Sequence, residues 1–555
     1  MSFMTRRPTS RFSAVVVLAL LGTAGGAGAA ARAATEGVGP PSAGEEQQAA
    51  AGAFDLPEGY RLEKVVGGLQ LPSSLAWDDA GRMYVAEAGG GLFPEKIAPI
   101  RILEVADGQA TPVIELPESI EPSLVGLKWH DGAFYFTHRA EDFTGAVSRA
   151  TLDGDVELLF KGILDSQAEH QINDIDVGPD GRMYVSVGPA GNSGVMDPSV
   201  APWVMKSPGV HTTPCEDIVL TGHNFESPNF LTEDPDDKVL TGAYVPFGTP
   251  TEPGQRIEGV EKCGGSILSF EPDNAEETLE THAWGFRNLL GLTWNDDGEM
   301  FAAENGYDMR GSRPVQGEID ATLRIEPGRW YGVPEYSASR EPLTEPKFEP
   351  PEDLQAPVIL GTDEPLGKIL GLVIDVEASG LTPPDPAWVL GRHTFNSSPS
   401  MVDIAPEGWG EFAGQMIVAE WGDLAPPTNP LRKTPVGRQV VAVDTETGEV
   451  TPFVKAEGIS RPFDVQFGPD GALYIVDYGV VNVDPELKPP YAFEPGTGGI
   501  WKVSRMPVGG VDAGVATGVA ATGVESWGLL VLGGTALAGA AAGTVLILRR
   551  RTEND

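Results

Sequence analysis

Six stretches of this chain repeat one short design, and the repetition limits the folds that are open to it. Each has an apolar run of alternating pattern, an acidic or glycine-containing turn, and a second apolar run that ends near a small residue. This pattern predicts strand, turn, strand, and hairpins repeated in series are typical of a β-propeller. The stretches read LPSSLAWDDAGRMYVAEAG from Leu71, VGLKWHDGAFYFTHRA from Val125, NDIDVGPDGRMYVSVGP from Asn173, LGLTWNDDGEMFAAENG from Leu290, PSMVDIAPEGWGEFAGQMIVAEWG from Pro399 and PFDVQFGPDGALYIVDYG from Pro462.

The spacing of these hairpins predicts an all-β fold, a six-bladed β-propeller over residues 54–506. Gaps of about fifty to sixty residues suit one four-stranded blade each. Two gaps are longer than about one hundred residues, and we expect insertions there, at about 190–262 and 337–395. The alternative is that these gaps hide extra blades, up to about eight in all. The abundance of Gly (70) and Pro (48) in 555 residues agrees with a turn-rich all-β protein.

The formal net charge of −42 argues against nucleic acid as a partner. Phosphate binding needs clustered Lys and Arg, which a strongly acidic chain does not favour. We interpret the charge as a heavily solvated acidic surface, and a cationic substrate or partner is the alternative.

The N-terminal segment predicts export. Arg6, Arg7 and Arg11 precede an apolar run from Ala14 to Leu21, and an A-x-A cleavage site ends at Ala33. Residues 1–33 therefore fit a secretory signal peptide. Residues 34–53, rich in Ala, Gly, Glu and Gln, predict a disordered linker.

The C-terminal segment predicts a membrane anchor. Residues 507–525 fit a flexible linker, and residues 526–548 fit a transmembrane helix, because the stretch Trp527–Leu548 carries no charge and suffices to cross a bilayer. Three arginines follow it, so residues 549–555 are expected to form a cytoplasmic tail. We therefore expect a single-pass membrane protein with its large domain outside the cytoplasm.

Both cysteines of the chain, Cys215 and Cys263, fall in the first long insertion. In an exported protein a disulfide between them would close a loop of nearly fifty residues and contribute roughly 3–4 kcal/mol. Two unlinked thiols are the alternative. Two cysteines alone cannot form a structural zinc site.

Four segments resemble the glucose/sorbosone dehydrogenase family, and the resemblance spans about residues 55–505. Its catalytic members are six-bladed propellers that bind pyrroloquinoline quinone (PQQ) and calcium and oxidise sugars or related alcohols and aldehydes. The segments read HQINDIDVGPDGRMYVSVG (170–188), THAWGFRNLLGLTWNDDGEMFAAENGYD (281–308), GEIDATLRIEPGRWYGVPEY (317–336) and RPFDVQFGPDGALYIVDYG (461–479).

The resemblance implies a role for three residues at the hairpin starts. Oxidation of an alcohol by a quinone moves a hydride from carbon and a proton from oxygen to a base, and histidine titrates near neutral pH. The family places its catalytic histidine at the position of His170. Arg287 and Asn288 match an Arg-Asn pair that contacts the cofactor, and a guanidinium suits a carboxylate or quinone edge through its forked donors.

Two further sets of residues are implied less directly. Arg432, Lys433 and Arg438 concentrate positive charge in the region where family members place basic PQQ ligands. The backbone carbonyls of Gly306 and Tyr307 match the calcium-binding pair, since calcium prefers oxygen ligands. Glucose-oxidising relatives usually have Gly-Pro there, so Tyr307 departs from the pattern. The alternative oxygen donors nearby are Glu318 and Asp320.

Other mechanisms lack their motifs in this sequence. It has no G-x-S-x-G nucleophile elbow, no P-loop and no G-x-G-x-x-G dinucleotide fingerprint. It also lacks C-x-x-C-H, the attachment motif of c-type haem, so electrons would leave through a separate acceptor.

Three functions remain open from the sequence. The first is a PQQ-dependent dehydrogenase of a small sugar, alcohol or aldehyde. The second is a non-catalytic propeller that binds a ligand or partner, since fold alone does not decide function. The third is a calcium-dependent, lactonase-like hydrolase with a metal in its central channel.

Overall fold

Each of the repeated hairpins forms the first two strands of its own antiparallel sheet. The computed structural model of the protein describes residues 54–91, 94–487 and 490–506. Apolar residues alternate along the hairpin strands, so one face of each sheet packs on the sheet before it and the other face on the sheet after it. The prediction of an all-β fold is confirmed, and the arrangement is propeller-like.

Two strands precede the first hairpin, and the first two sheets follow without interruption. The N-terminal strands are β1 (Phe54–Asp55) and β2 (Tyr60–Leu69). The first sheet comprises β3 (Pro72–Trp77), β4 (Met83–Ala88), β5 (Ile100–Ala106) and β6 (Gln109–Glu115). The second comprises β7 (Leu127–His130), β8 (Ala133–Arg139), β9 (Gly145–Thr151) and β10 (Val156–Ile163).

The third sheet is interrupted by the first insertion. Its opening hairpin is β11 (Ile172–Val177) and β12 (Met183–Val187). The insertion carries β13 (Ile218–Val219), β14 (His223–Pro228), β15 (Lys238–Thr241) and β16 (Arg256–Ile257). The sheet resumes with β17 (Ser266–Phe270) and β18 (Glu280–Trp284).

The fourth sheet contains the second insertion, and two more sheets follow it. The fourth comprises β19 (Asn288–Trp294), β20 (Met300–Asn305), β21 (Asp320–Ile325) and β24 (Val389–His393). The insertion between β21 and β24 carries β22 (Val358–Leu360) and β23 (Glu364–Gly367). The fifth comprises β25 (Pro399–Ile404), β26 (Met416–Glu420), β27 (Gln439–Val443) and β28 (Val450–Ala456). The N-terminal strand β1 pairs with β28 as the outer strand of this sheet. The sixth comprises β29 (Pro462–Phe467), β30 (Leu473–Asp477) and β33 (Gly498–Arg505), with a small hairpin of β31 (Val481–Val483) and β32 (Tyr491–Phe493) before its last strand.

Helices are short throughout the described residues. The α-helices are α1 (Ala201–Lys206) and α2 (Ala275–Thr278). The 3-10 helices are Leu164–Gln167, Pro198–Val200, Pro346–Phe348, Glu352–Leu354, Pro386–Trp388 and Glu407–Phe412.

The sheets form a closed ring. The first strands β3, β7, β11, β19, β25 and β29 contact one another in this order, and β29 contacts β3 again. The N-terminal strand β2 pairs with β33, from Tyr60 opposite Arg505 to Leu69 opposite Gly498. It thereby supplies the outer strand of the sixth sheet, whose order is β2-β33-β30-β29.

Buried apolar clusters fill the interfaces between consecutive sheets. Tyr84 of the first sheet and Phe134 of the second, for example, meet edge to face with their ring centroids 4.9 Å apart. Gly291 permits a close approach of the fourth and fifth sheets, because an added Cβ would lie 2.6 Å from the Cα of Met401. The hydrophobic core is therefore distributed around the ring.

Three aspartates of first strands bond to the next sheet. The Oδ2 atom of Asp174 in β11 accepts from the Leu292 N–H in β19, that of Asp403 in β25 from the Phe467 N–H in β29, and that of Asp464 in β29 from the Leu75 N–H in β3. Burial, followed by the negative charge of Asp403, raises the pKa of Asp464 to about 7. These side chains join neighbouring sheets at the inner edge of the ring.

The two long insertions meet in one additional sheet outside the ring. Strand β14 of the first insertion pairs with β22 of the second, with His223 opposite Leu360, and the order is β15-β14-β22-β23. The predicted disulfide is confirmed: Cys215 of the first insertion is bonded to Cys263, next to β17. It fastens the insertion to the third sheet.

The predicted terminal segments lie outside the described residues. These are the signal peptide (1–33), the linkers (34–53 and 507–525), the transmembrane helix (526–548) and the tail (549–555). Among the residues that the structure describes, no helix has the length and apolar character needed to span a bilayer.

Replacing Asp464 with Asn is expected to stabilise the protein near pH 8 and to change little near pH 4. The carboxyl pKa is raised on folding from 3.8 to about 7, so ionisation disfavours the folded state as the pH rises through this range. Asn keeps an oxygen acceptor for the Leu75 N–H and removes the ionisation. We expect the free energy of unfolding to rise by roughly 2–4 kcal/mol near pH 8, measured by denaturant titration at both pH values. Asp297→Asn, at an exposed hairpin turn, is the control, and an equal gain at both pH values would contradict the explanation.

Candidate functional site

The central cavity lies on the face of the ring where the first strands begin and the second strands end. Its volume is about 170 Å³, and every sheet of the ring contributes lining residues. The sequence-predicted residues His170, Arg287, Asn288 and Gly306 all line it, together with the alternative donor Asp320. Others that line it are Ser73, Ala88, Gly91, Ser123, Leu124, Val125, Glu169, Gln171, Asn173, Leu290, Asn305, Asp308, Asn396, Ser398, Ser400, Trp421, Leu424, Thr428, Phe463, Tyr478 and Phe493.

His170 precedes β11 and is nearly buried, with 6% of its surface exposed. Its Nδ1 lies 3.0 Å from the carbonyl oxygen of Pro189. Because a carbonyl can only accept, Nδ1 carries the proton and Nε2 carries the lone pair. Burial, together with the positive charges of Arg287 and Arg310, holds the pKa of His170 well below its usual 6.5. His170 is therefore neutral at neutral pH and is a proton acceptor at Nε2.

The position of His170 depends on Gly188 at the end of β12. A Cβ at residue 188 would lie 2.5 Å from the Cβ of His170 and 2.7 Å from the Oδ1 of Asn288. Asn173 lies in β11, shortly after His170 in the chain, and donates from Nδ2 to the Leu289 carbonyl at 2.8 Å. The third and fourth sheets thus present His170 and Asn288 side by side.

Asp308 organises the charged groups of the cavity. Its Oδ2 accepts from Arg287 Nη2 and from Arg310 Nε, both at 2.9 Å, and its Oδ1 accepts from Asn396 Nδ2 at 2.9 Å. Arg310 also donates to Glu169 at 2.6 Å. Arg287 is therefore held rigidly with a matched charge, and among the described lining residues it is the one with a permanent positive charge.

The cavity has unpartnered buried polar atoms on several sides. Arg287 Nε, Asn305 Oδ1, Trp421 Nε1 and Thr428 Oγ1 have no hydrogen-bond partner within the described part of the chain. Buried polar atoms in native proteins are nearly always paired. Two are N–H donors and one is an acceptor, while the threonine hydroxyl can act as either, so the cavity suits a ligand with both polar functions.

Of the two residues predicted to bind calcium, Gly306 lines the cavity and the side chain of Tyr307 is buried in the protein interior. Gly306 lines the cavity, and its N–H donates to Asp320 Oδ1 at 2.9 Å. The Tyr307 side chain is fully buried elsewhere and donates to the Tyr336 carbonyl at 3.0 Å. No hydrogen bond reaches the carbonyl oxygen of either Gly306 or Tyr307 from the described residues. The described hydrogen bonds thus leave both oxygens open to a hard cation, and of the two residues Gly306 belongs to the cavity wall.

The carboxylates near this pair have other roles. Glu318 does not line the cavity and accepts from the backbone N–H groups of Ile319 and Ala338. Asp320 lines the cavity and accepts from the Ser398 N–H at 2.8 Å. No group of three or more His, Cys, Asp or Glu close enough to hold a metal occurs in residues 54–91, 94–487 and 490–506.

The predicted basic cluster does not reach the central cavity. Arg432 donates to the Phe395 carbonyl, Lys433 is exposed, and Arg438 lines a separate cleft. Other residues of the loop before β27, namely Trp421, Leu424 and Thr428, line the cavity instead. These three residues therefore contribute no charge to the cavity wall.

That wall is aromatic, which the sequence analysis missed. Tyr478 lies at its centre, with its ring centroid 6.1 Å from Trp421, 5.8 Å from Phe463 and 6.1 Å from Phe493. The Tyr478 hydroxyl donates to the Gly90 carbonyl at 2.7 Å, which ties the sixth sheet to the first. The available signal was that Trp421, Phe463 and Tyr478 lie at the ends of predicted hairpin strands, whereas Phe493 lies in β32, outside the predicted hairpins.

Comparisons with known proteins give similar folds at low identity. An aldose sugar dehydrogenase from Streptomyces coelicolor, solved in its PQQ-bound form, matches at 17% identity over 81% of this chain and 100% of that chain, with a TM-score of 0.44. The PQQ domain of a pyranose dehydrogenase from Coprinopsis cinerea matches at 13% identity over 81% and 97%, with a TM-score of 0.45.

A carbohydrate-active enzyme of family AA12 from Trichoderma reesei, in a calcium structure, matches at 13% identity over 82% of this chain and 97% of that chain, with a TM-score of 0.47. No family model and no curated protein matches the chain. At this level of similarity the function of the chain has to be argued from its own residues.

Proposed function

We propose that the protein is a PQQ-dependent dehydrogenase that oxidises a sugar or a related alcohol or aldehyde in the central cavity of a six-bladed propeller. The observation that carries the proposal is the cavity itself, where neutral His170, with its lone pair on Nε2, lies beside Arg287 and Asn288. The two segments that resemble the dehydrogenase family most specifically supply these residues. A binding-only role would not need a neutral, oriented imidazole.

The residues present fit a planar, polar cofactor. Arg287 Nε and Trp421 Nε1 are buried donors without partners, and they suit quinone or carboxylate oxygens. The aromatic wall around Tyr478 offers flat surfaces for a fused ring system. Arg287, Asn288 and Trp421 are the side chains that would hold PQQ.

The cavity also fits calcium beside such a cofactor. The carbonyl oxygens of Gly306 and Tyr307 accept no hydrogen bond from the described residues, and Asp320 provides a carboxylate next to Gly306. A divalent cation would offset the negative charge that a polyanionic cofactor adds to a cavity whose arginine is already paired with Asp308.

The chemistry divides between cofactor and protein. PQQ, when bound, supplies the hydride acceptor. His170 takes the proton of the substrate hydroxyl at Nε2 while the carbon–hydrogen electron pair leaves, so that the substrate becomes a carbonyl compound. The Pro189 carbonyl fixes the tautomer that makes Nε2 the acceptor, and it stabilises the charge after proton uptake. The aromatic side chains exclude water from this step.

We also propose that the reaction takes place outside the cytoplasm, on a protein anchored by a C-terminal helix. The predicted signal peptide over 1–33 and the apolar stretch over 526–548 support this placement. The disulfide between Cys215 and Cys263 supports it as well, because disulfides persist in oxidising compartments. Electrons would pass to a separate acceptor.

Removal of the base is expected to abolish turnover without abolishing cofactor binding. We expect His170→Ala to lower kcat for dye-linked sugar oxidation by roughly 10²–10⁴, while PQQ binding, followed by absorbance titration with calcium present, persists. Arg287→Met should instead weaken PQQ binding, and Arg310 would still compensate Asp308 in this variant. His211→Ala, outside the cavity, is the matched control. If the native protein takes up no PQQ, the proposed function is wrong.

The pH dependence of turnover should report the depressed pKa of His170. Because the neutral form is active, kcat/KM should stay level from about pH 8 through pH 6.5 and fall only at lower pH, as Nε2 becomes protonated. Arg310 lowers this pKa by its charge, so Arg310→Gln should move the acid limb to higher pH. Nitrogen NMR of the His170 ring provides the direct measurement, and an acid limb at or above pH 6.5 in the native protein would contradict the assignment.

A further inference from the structure

A second cleft lies on the same face as the central cavity, between the fifth and sixth sheets. It forms where β27 begins, where β28 ends, and where the chain enters β29 and leaves β30, and its volume is about 660 Å³. Its lining residues are Asp55, Arg438, Lys455, Ala456, Glu457, Ile459, Ser460, Arg461, Val480, Val481 and Asn482. None of them lines the central cavity, so the two sites are distinct.

Arg438 enters this cleft without a partner. No ion pair and no hydrogen bond from its guanidinium to the described residues is found, and its Nε is buried. The side chain packs over Gly422, where an added Cβ would lie 2.6 Å from Arg438 Cγ. Packing against Gly422 therefore holds the side chain in place, and its charge is left uncompensated.

Arg461 is the second guanidinium of the cleft, and 1% of its surface is exposed. It donates to the carbonyl oxygens of Trp421, Gly422 and Asp423 at 3.0–3.1 Å, and it forms no ion pair with a carboxylate of the described residues. Burial lowers the pKa of Arg461 to about 9, and the charge of Arg438 is the next cause. The charges of Asp423 and Asp477 act on Arg461 in the opposite direction. Among the described residues, Arg438 is therefore the guanidinium of the cleft that lacks a partner, in a chain of net charge −42.

We propose that this cleft binds an oxyanion, the carboxylate or phosphate group of a small ligand, at Arg438, with the charge of the neighbouring Arg461 adding to the attraction. Guanidinium groups hold such anions through forked, charge-assisted hydrogen bonds. Lys455 and the Ser460 hydroxyl lie at the same cleft and extend the donor set. The exposed carboxylates of Asp55 and Glu457 also line it, and neither forms an ion pair with the arginines among the described residues.

The oxyanion site adjoins the central cavity through one side chain. The Arg461 guanidinium lies 4.4 Å from the ring centroid of Trp421, and Trp421 lines the central cavity. The site does not depend on the proposed dehydrogenase activity, because its evidence is the guanidinium of Arg438, which is unpaired within the described part of the chain. An anion there would offset the charge of Arg438 and stabilise the folded protein.

The test is the thermal response of the purified native protein to inorganic phosphate, sulfate, glucuronate and glucose at constant ionic strength set with sodium chloride. We expect Tm to rise with phosphate, sulfate or glucuronate and to be unchanged with neutral glucose. In Arg438→Gln the affinity from calorimetric titration should fall about tenfold or more, the scale of one charged hydrogen bond. Arg432→Gln is the matched control, because Arg432 belongs to the same loop and bonds to the Phe395 carbonyl.

A second measurement uses the unmodified chain. Phenylglyoxal should modify Arg438, and the anion that raises Tm should protect it, as followed by peptide mass spectrometry. A response to phosphate and sulfate alone would identify a phosphate-type ligand, and a response to glucuronate a carboxylate ligand. No response to any of the anions, or equal binding by the native protein and Arg438→Gln, would overturn the proposal.

Discussion

The pairing of β2 with β33 is the interaction on which the rest of the structure depends. Each sheet of the ring packs on two neighbours, and this can hold for every sheet only if the last one meets the first. The N-terminal strand from Tyr60 to Leu69 completes the sixth sheet across a sequence separation of more than four hundred residues. The central cavity exists because this closure brings the strand ends of all sheets to one axis. Contacts that join sheets across the closure, such as Tyr478 with Gly90 and Asp464 with Leu75, strengthen it.

The charges of the cavity follow one rule, which is that permanent cations are paired and the proton acceptor is left neutral. Asp308 compensates Arg287 and Arg310, while burial, together with the charges of both arginines, lowers the pKa of His170 and keeps it unprotonated. The cleft between the fifth and sixth sheets breaks the rule, because Arg438 and Arg461 have no carboxylate partner among the described residues. Uncompensated charge therefore marks a difference between two neighbouring sites on one face.

Short-range pattern predicted the hairpins and the residues at their ends, because alternation and turn chemistry act over few residues. The roles of His170, Arg287, Asn288 and Gly306 came from the family resemblance, and the structure brings these residues to one cavity. Long-range geometry was not predictable: the closing strand β2 has an ordinary strand pattern whose partner is hundreds of residues away. The loop carrying Arg432, Lys433 and Arg438 was assigned to the cofactor by its charge and by the family resemblance, whereas the structure packs Arg438 against Gly422 and places it in a separate cleft. The aromatic wall was missed because its members are separated along the chain, with Trp421 after β26, Phe463 and Tyr478 at the two ends of the sixth hairpin and Phe493 in β32.

The shared sheet of the two insertions has a consequence for how this protein can vary. Strand β14 belongs to one repeat and β22 to the next, yet each satisfies the backbone hydrogen bonds of the other. Deleting either insertion would leave an open edge on the one that remains, and such edges promote association with other chains. A relative could therefore lose or exchange these segments only as a pair. The two insertions therefore form one structural unit, although they are separated in the sequence. Experiments that transfer one insertion to another protein should transfer both.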